Sequence, residues 1–238
     1  MIKQIYDDLY SRFGNQNWWP VTLENEIMPK YHKNIKLTKK QKLEICFGAI
    51  LTQNTNWKNA EKAISQLNKN KLININKIIK INNENLARII RSSGYHNQKA
   101  IKLKNFCLFL KNNYHGNIEK LFSNTITKLR NELLSISGIG PETADSIILY
   151  AAKKPIFVID AYTKRIYSRV FSIKKELRYD ELQQIFMKEL NNDEKLFNEY
   201  HALLVGLGKN ICKKKPLCIK CPINTMCNYY SKTYPKQQ

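Results

Sequence analysis

Hydrophobic residues recur with helical spacing through most of the chain, and this periodicity constrains the fold more than any other feature. One stripe is repeated at i, i+3, i+4, i+7 and i+8 by Leu43, Cys46, Phe47, Ile50 and Leu51, and residues 103–110 and 144–152 carry the same pattern. The one β-like run, PIFVI at 155–159, is too short and solitary to build a sheet. The sequence therefore predicts an all-α fold of ten or more helices joined by short polar turns.

The chain carries 40 Lys and Arg against 19 Asp and Glu, a net charge of +21. This excess favours polyanionic partners, because each neutralised phosphate releases condensed counterions. A solvated lysine-rich surface is the alternative, since Lys, Asn and Ile are abundant throughout, and charge alone does not decide between the two. The N-terminus resembles neither a secretory signal nor a transit peptide, and no apolar run has the roughly 20 residues that a membrane span needs. We expect a soluble cytoplasmic protein associated with the nucleoid.

The six cysteines fall into two groups. Cys46 and Cys107 lie on apolar helical stripes and are predicted to be core residues. The other four have the spacing C-x5-C-x2-C-x5-C and are Cys212, Cys218, Cys221 and Cys227. Disulfides do not suit a reducing compartment, so this second group indicates a metal site. Zinc is one candidate, although zinc sites usually show paired CxxC knuckles or histidine partners on separated segments.

Gly138 and Gly140 flank Ile139 between two amphipathic segments. Glycine allows a tight turn and a close approach to a ligand, and the helix that follows offers free N–H groups to a phosphate. An ordinary helix-to-helix turn is the alternative, which the glycines alone favour. Asp160 follows about twenty residues later and opens another predicted helix, where its carboxylate is suited to capping the first N–H groups.

Taken together, residues 133–166 resemble the helix-hairpin-helix and Gly/Pro-Asp motif of the endonuclease III superfamily. The resemblance implies a two-lobed all-α DNA glycosylase fold in which Asp160 faces the sugar of the extruded nucleotide, where a negative charge stabilises an oxocarbenium-like transition state. Bifunctional members carry a lysine at the position of Glu142, and a carboxylate cannot form their imine. The expected enzyme is therefore a monofunctional glycosylase without lyase activity. Lys164 is a possible substitute nucleophile, but a phosphate contact or a solvated lysine fits it better.

The four clustered cysteines also resemble the C-terminal [4Fe-4S] loop of endonuclease III-like glycosylases. Six residues in the first interval are commoner, and the five found here are typical of a smaller, endonuclease III-related branch. Positive charge surrounds the cluster at residues 213–215 and 220, which is consistent with phosphate binding. A redox role is another interpretation, although nothing else in the sequence suggests it.

The segment of Trp18, Trp19 and Pro20 resembles the aromatic segment with which the 3-methyladenine glycosylase branch stacks on an alkylated base. Phe47 is the candidate for the opposite wall. Positively charged methylated purines gain cation-π attraction between aromatic faces. Ordinary packing is the alternative for the tryptophans, and the buried stripe of its helix is the alternative for Phe47.

Gln53 matches the glutamine that family members insert into the gap left by the flipped nucleotide, and Tyr95 and His96 match the opposing wedge. Helix capping is the alternative for Gln53, and packing is the alternative for Tyr95. His201 is interpreted as a structural histidine and not as a catalytic base.

These observations predict a monomeric glycosylase of base excision repair that acts on duplex DNA containing a damaged base, and the favoured substrate is an alkylated purine such as 3-methyladenine. A mismatch thymine or uracil glycosylase is one alternative, and a non-catalytic iron-sulfur DNA-binding protein is another. The predicted domains are a helical unit over 40–153 and a second lobe formed by 1–39 and 154–238, with the iron-sulfur loop at 212–227.

Overall fold

The computed structural model describes residues 1–173 and 177–234. Thirteen α-helices lie in these ranges, which contain no sheet, and the one β-bridge there joins Val21 to Lys30. The all-α prediction is confirmed. No helix in this part of the chain is long and apolar enough to cross a membrane.

The helices are named here in chain order. They are α1 (Ile2–Phe13), α2 (Lys39–Leu51), α3 (Trp57–Lys69), α4 (Ile75–Lys80), α5 (Asn83–Ile89), α6 (His96–Tyr114), α7 (Ile118–Phe122), α8 (Ile126–Leu134), α9 (Pro141–Ser146), α10 (Ala161–Phe171), α11 (Tyr179–Glu189), α12 (Glu194–Asn210) and α13 (Asn228–Thr233). A π-helical turn at Ile147–Ala151 continues α9.

The chain divides into two compact units. The hairpin unit is Trp19–Lys154, and the terminal unit consists of Met1–Trp18 and Pro155–Gln238. The sequence prediction starts the first of these domains at residue 40. In the structure residues 19–39 belong to it as well, because the Val21 bridge folds this segment back on itself and the backbone N–H of Thr22 donates to the Glu44 side chain of α2.

Most helices begin at a residue whose side chain accepts a hydrogen bond from the backbone of the first turn. Such a bond satisfies one of the N–H groups that a helix start leaves without an internal partner. Thr38 forms a capping box with Gln41 at the start of α2. At other helix starts the side chain of an asparagine accepts such a bond. These capping residues are Asn56, Asn74, Asn82 and Asn117. The Asn-rich composition is thus used to define helix boundaries.

Helix α2 is the centre of the hairpin unit. Residues 43–51 of this helix are all buried, and α2 packs on α3, α6, α7 and α9. Cys46 and Cys107 are both fully buried, as their positions on apolar stripes predict.

Residues 155–159 form an extended, largely buried segment in the terminal unit. Its backbone is satisfied by side chains instead of a neighbouring strand: Gln183 Nε2 donates to the Phe157 carbonyl at 2.6 Å, and the Ile159 N–H donates to the Tyr179 hydroxyl at 3.3 Å. The Phe157 ring stacks on Phe186 with centroids 4.4 Å apart. The β-like run is therefore a core connector that leads to Asp160 at the start of α10.

Candidate functional site

The two glycines of the hairpin serve different purposes. Gly138 has φ +96°, a conformation that favours glycine, and a Cβ added there would lie 2.4 Å from Cγ of Lys102. Gly140 has an ordinary φ of −96° and caps α9, with Pro141 in the first turn of that helix. Nothing lies within 4 Å of a Cβ built on Gly140. Gly138 is therefore needed for the turn, whereas Gly140 leaves open space beside a helix N-terminus.

A buried ion pair joins the two helices of the hairpin. Asp145 of α9 is fully buried, and Arg130 of α8 contacts both of its carboxylate oxygens, at 2.8 and 3.3 Å. A bidentate pair of this kind fixes orientation as well as separation. The pair therefore fixes the orientation of α9 relative to α8 and, with it, the position of the open turn between them.

Gln53 is bound to the hairpin in the same unit. Its Nε2 donates to the Gly138 carbonyl at 3.0 Å and to Thr143 Oγ1 at 2.9 Å, while its Oε1 accepts from the Lys102 ammonium. Thr52 is the residue that caps the C-terminus of α2. The structure thus places Gln53 just beyond the helix end and directly beside the hairpin turn.

Tyr95 projects from the surface of the hairpin unit. Its side chain is 67% exposed, and its φ of +46° lies in the left-handed region that few non-glycine residues adopt. Gly94 precedes it with φ +67°, and His96 follows as the first residue of α6. An exposed aromatic side chain on a constrained turn is suited to insertion into another molecule.

Trp19 is a half-buried residue that packs on three elements of the hairpin unit. A Cβ on Gly48 of α2 would lie 2.9 Å from the Trp19 ring, and the Trp19 ring lies 5.2 Å from the rings of both Trp57 and Tyr150. The glycine in α2 therefore makes room for the indole. Pro20 is buried directly after it.

The other two aromatic candidates lie elsewhere. Phe47 has no exposed surface, and its ring packs edge-on against Phe106, so the structure places it on the buried face of α2. This is the alternative given for Phe47 from the sequence. Trp18 is half-buried and belongs to the terminal unit.

Asp160 caps α10 in the terminal unit. It is 9% exposed, and its Oδ1 accepts from the Thr163 N–H at 2.7 Å. Its Oδ2 lies 3.7 Å from Nε2 of His201 on α12. Burial lowers the pKa of His201, while the neighbouring Asp160 carboxylate opposes that shift. Asp160 thus combines a cap with a contact to a buried imidazole.

An acidic residue of α12 holds the segment that leads to Trp18. Glu199 accepts from the Gln16 N–H at 2.6 Å, and burial raises the pKa of this carboxyl group. It lies two residues before His201, so α12 supports both the aspartate and the start of the aromatic segment.

Lys164 and Glu142 lie on the first turns of α10 and α9. Lys164 is half-buried and one turn beyond Asp160, and Glu142 is exposed in the turn that follows the hairpin. A carboxylate therefore occupies the surface position where the resemblance expects a lysine in bifunctional enzymes.

The four clustered cysteines line one cavity of the terminal unit. Apolar side chains of α10 and α12 form the rest of its floor, among them Ile166, Val170 and Leu207. Burial and the neighbouring thiols raise the pKa of Cys221 to about 11. In the described part of the chain, no three His, Cys, Asp or Glu side chains converge closely enough to hold a single metal ion.

Two arginines of α10 fix the start of this loop. Arg165 donates to the carbonyls of Gly208 and Cys212, both at 2.9 Å. Arg169 lies 3.2 Å from the Cys212 sulfur and donates to the Lys213 carbonyl at 2.6 Å. The helix that begins at Asp160 thus also positions the cysteine loop.

A family model described as the HhH-GPD superfamily of base excision DNA repair proteins matches residues 47–192, which is more than half of the chain. The chain belongs to this superfamily. The matched HhH-GPD region includes Gln53, Tyr95, both hairpin glycines and Asp160. It does not include Trp19, His201 or the cysteine loop.

Two relatives and one solved structure extend the HhH-GPD assignment over most of the chain. A Methanocaldococcus jannaschii protein with the provisional name DNA repair glycosylase is 43% identical over 95% of this chain and 96% of its own length. Endonuclease III of Sulfolobus acidocaldarius is 30% identical over 87% of this chain and 96% of its own. The structure of H. pylori 3-methyladenine DNA glycosylase bound to 1,N6-ethenoadenine is 28% identical, with a TM-score of 0.66, and covers 87% of this chain and 95% of that one.

Two residues make contacts that the sequence interpretation does not predict. His201 is interpreted there as structural, and the structure places it against Asp160. Its position in the sequence makes Lys99 a candidate for a contact to the DNA backbone, whereas the structure buries it beneath the loops of Gln53 and Tyr95, so this expectation is wrong. No local spacing links these residues to their partners, so only the fold could reveal the contacts.

Proposed function

We propose that this protein is a monofunctional DNA glycosylase that hydrolyses the N-glycosidic bond of a flipped, alkylated purine such as 3-methyladenine. The observation that carries the proposal is Asp160, whose carboxylate is held at a helix N-terminus with one oxygen in the cap and the other beside a buried histidine. Family membership supports base excision, and the likeness to a 3-methyladenine glycosylase supports the substrate class.

In the proposed reaction, Asp160 stabilises positive charge that develops on the sugar. The cap to Thr163 fixes the carboxylate in advance, so little reorganisation accompanies the charge development. Water then adds to the sugar and the base departs, which leaves an abasic site. Alkylated purines already have a weak glycosidic bond, and this suits a site with few acid-base groups.

Glu142 is the reason for proposing a monofunctional enzyme. An imine with the sugar needs an amine nucleophile, which a carboxylate cannot supply. Lys164 is proposed to contact phosphate and not to act as a nucleophile; it lies half-buried on α10, one turn beyond Asp160.

We assign DNA contacts to the surface formed around the hairpin. Gly138 and Gly140 present the open turn and the N-terminus of α9 to a phosphate. Gln53 is proposed to enter the gap left by the flipped nucleotide, and Tyr95 with His96 to form the opposing wedge. The partner is double-stranded DNA with a damaged base, bound by a monomer.

The proposed base pocket uses Trp18, Trp19 and Pro20. The Trp19 ring is supported from behind by Gly48, Trp57 and Tyr150, and a supported ring costs little entropy when a base stacks on it. A cationic base would gain cation-π attraction at such a surface. Phe47 could serve as the opposite wall only if α2 exposed a face that is buried here.

The four cysteines are proposed to hold a [4Fe-4S] cluster. The donor set fits, because four thiols line one cavity and four cysteine thiolates are the usual ligands of such a cluster. Such a cluster would supply a rigid scaffold for the loop and its lysines. Purified protein should be brown with broad visible absorbance, and colourless protein containing stoichiometric zinc would refute this assignment.

The test of the function is a base-release assay on duplexes that carry alkylated, deaminated or oxidised bases, with borohydride present in a parallel set. We expect release from the alkylated duplex and no trapped covalent adduct. Release from thymine or uracil mismatches alone would overturn the substrate assignment, and a trapped adduct would overturn the monofunctional one. If no duplex released a base while Asp160→Asn bound DNA unchanged, the protein would be a non-catalytic DNA-binding protein.

A further inference from the structure

The first turn of α6 contains a buried lysine. Lys99 is 2% exposed and is the only lysine in the buried class among residues 1–173 and 177–234. Its ammonium donates to the Leu51 carbonyl at 2.8 Å and to the Ser93 carbonyl at 2.7 Å. Removing an ammonium from water is costly, and apolar replacements of buried charges are often as stable or more stable. Stability alone therefore does not explain a lysine at this position.

The two carbonyls lie just before two different loops. Leu51 is the last residue of α2 and lies two residues before Gln53, and Ser93 lies two residues before Tyr95. A cation at the C-terminal end of a helix is favoured by the helix dipole, and Lys99 takes that place for α2. One nitrogen atom thus joins the loop of Gln53 to the loop of Tyr95.

The same face of α6 continues to the hairpin. Lys102 donates to Gln53 Oε1 and its stem covers Gly138, while Asn105 Nδ2 donates to the Ser137 carbonyl at 3.2 Å. Residues at intervals of three on a helix share a face. This face therefore supports all three loops to which the proposed function assigns DNA contacts.

We propose that Lys99 is a positioning residue that fixes the loop of Gln53 against the loop of Tyr95, so that both side chains enter the duplex together. The proposal rests on the proposed function for the insertion step. Lys99 is buried, so it acts through the two loops and does not contact DNA itself.

The protonation of Lys99 offers a way to test this role. Burial, followed by the charge of Lys102 on the same helix, lowers the pKa of Lys99 to about 8. The groups that face its ammonium from α2 and from the turn before Tyr95 are the two carbonyl oxygens. Hydrogen bonds from a charged donor are stronger than those from a neutral one, so the connection should weaken as the pH rises above 8. An arginine would keep its charge throughout this range.

The experiment compares Lys99→Met and Lys99→Arg with Lys111→Met, which removes one positive charge from the exposed end of the same helix. Amide hydrogen exchange of residues 52–54 and 93–95 is measured in the free protein. Base flipping is followed by single-turnover 2-aminopurine fluorescence next to the lesion. Lys99→Met should accelerate exchange in both loops together and slow flipping by about tenfold or more, since the loss of even one of its two charge-assisted hydrogen bonds has an effect of about that size. Its affinity for undamaged duplex should match that of Lys111→Met.

Between pH 7 and 9, flipping by the wild-type protein should slow while flipping by Lys99→Arg stays constant. If Lys99→Met does not fold, the comparison of the wild type with Lys99→Arg is sufficient to test the proposal. Wild-type exchange in both loops after Lys99→Met, or exchange that increases in one loop alone, would overturn the proposal. Because hydrogen exchange uses no DNA, it decides the role of Lys99 even if the wild-type protein releases no base and the proposed function fails.

Discussion

Asp145 of the hairpin unit and Asp160 of the terminal unit are both buried aspartates, yet their surroundings use the charge in different ways. Asp145 is fully buried against a bidentate arginine, so its charge is neutralised by the protein itself. Asp160 retains some exposure, and its neighbours are a backbone N–H and a histidine whose pKa burial lowers. A neutral imidazole leaves the carboxylate charge uncompensated. The comparison teaches that the partner of a buried carboxylate decides how its charge is used, and it supports the catalytic role that we propose for Asp160.

The largest effect on stability should come from Asp145. Asp145→Asn leaves the Arg130 guanidinium without its buried counter-charge, and breaking one partner of such a pair costs about 3–5 kcal/mol. Urea unfolding measures the loss. The control is Asp7→Asn, which breaks the exposed pair with Lys3 and should cost less than about 1 kcal/mol. Equal losses for the two variants would show that Asp145 is not the structural aspartate of the comparison.

The cysteine loop provides the second contrast. Cys221→Ser removes one of the four thiols around the cavity, so we expect a large loss of bound iron and of visible absorbance. Cys107→Ser removes a thiol from the core of the hairpin unit and should keep both. Iron analysis of the two purified proteins makes the measurement. Full iron content in Cys221→Ser would contradict the assigned ligand set.

His201 should make both the stability of the protein and base release depend on pH. Its pKa in the folded protein lies below 6.5, so the unfolded chain binds more protons in the window below 6.5, and the free energy of unfolding should fall as the pH drops through it. Protonation would also pair the imidazolium with Asp160 and slow base release by roughly tenfold. His201→Gln should lose both dependences, which pH profiles of release and unfolding will show. If His201→Gln kept the wild-type decrease at acid pH, His201 would not be the group that causes it.

The last effect appears only at high pH and concerns Lys99, whose pKa in the folded protein is lowered to about 8. The unfolded chain keeps that proton up to about pH 10.4, so this group makes the protein more stable as the pH rises from about 8 to 10. The difference in unfolding free energy between wild type and Lys99→Met should therefore shift in favour of wild type over that range. A constant difference would show that Lys99 has an ordinary pKa.

Local patterns in the sequence were sufficient for the helices and for several site residues. The apolar stripe of α2 predicts a buried helix, and its residues are buried, including Phe47, which the resemblance alone would place at a pocket wall. Gly138 has the positive φ that a tight turn predicts, and Asp160 is the helix cap that its position predicts. Such features depend on residues close in sequence.

The contacts that the sequence does not reveal are formed between distant segments. Asp160 meets His201 from another helix, and Lys99 reaches one carbonyl just before each of the two loops it supports. Gly140 is a less obvious case. Its φ is ordinary, and what distinguishes it is the open space beside it. Hydrophobic periodicity and motif spacing do not predict which buried side chains from distant segments contact each other.

The most direct test of the central claim is Asp160→Asn, because asparagine caps a helix about as well as aspartate does while it removes the charge. The measurement is single-turnover release of an alkylated purine, alongside affinity for the same duplex and the free energy of unfolding. We expect release to fall by about a hundredfold to a thousandfold, the scale of losing a preorganised electrostatic group, with affinity and stability close to wild type. Release at the wild-type rate, or a loss explained by unfolding, would contradict the role assigned to this carboxylate.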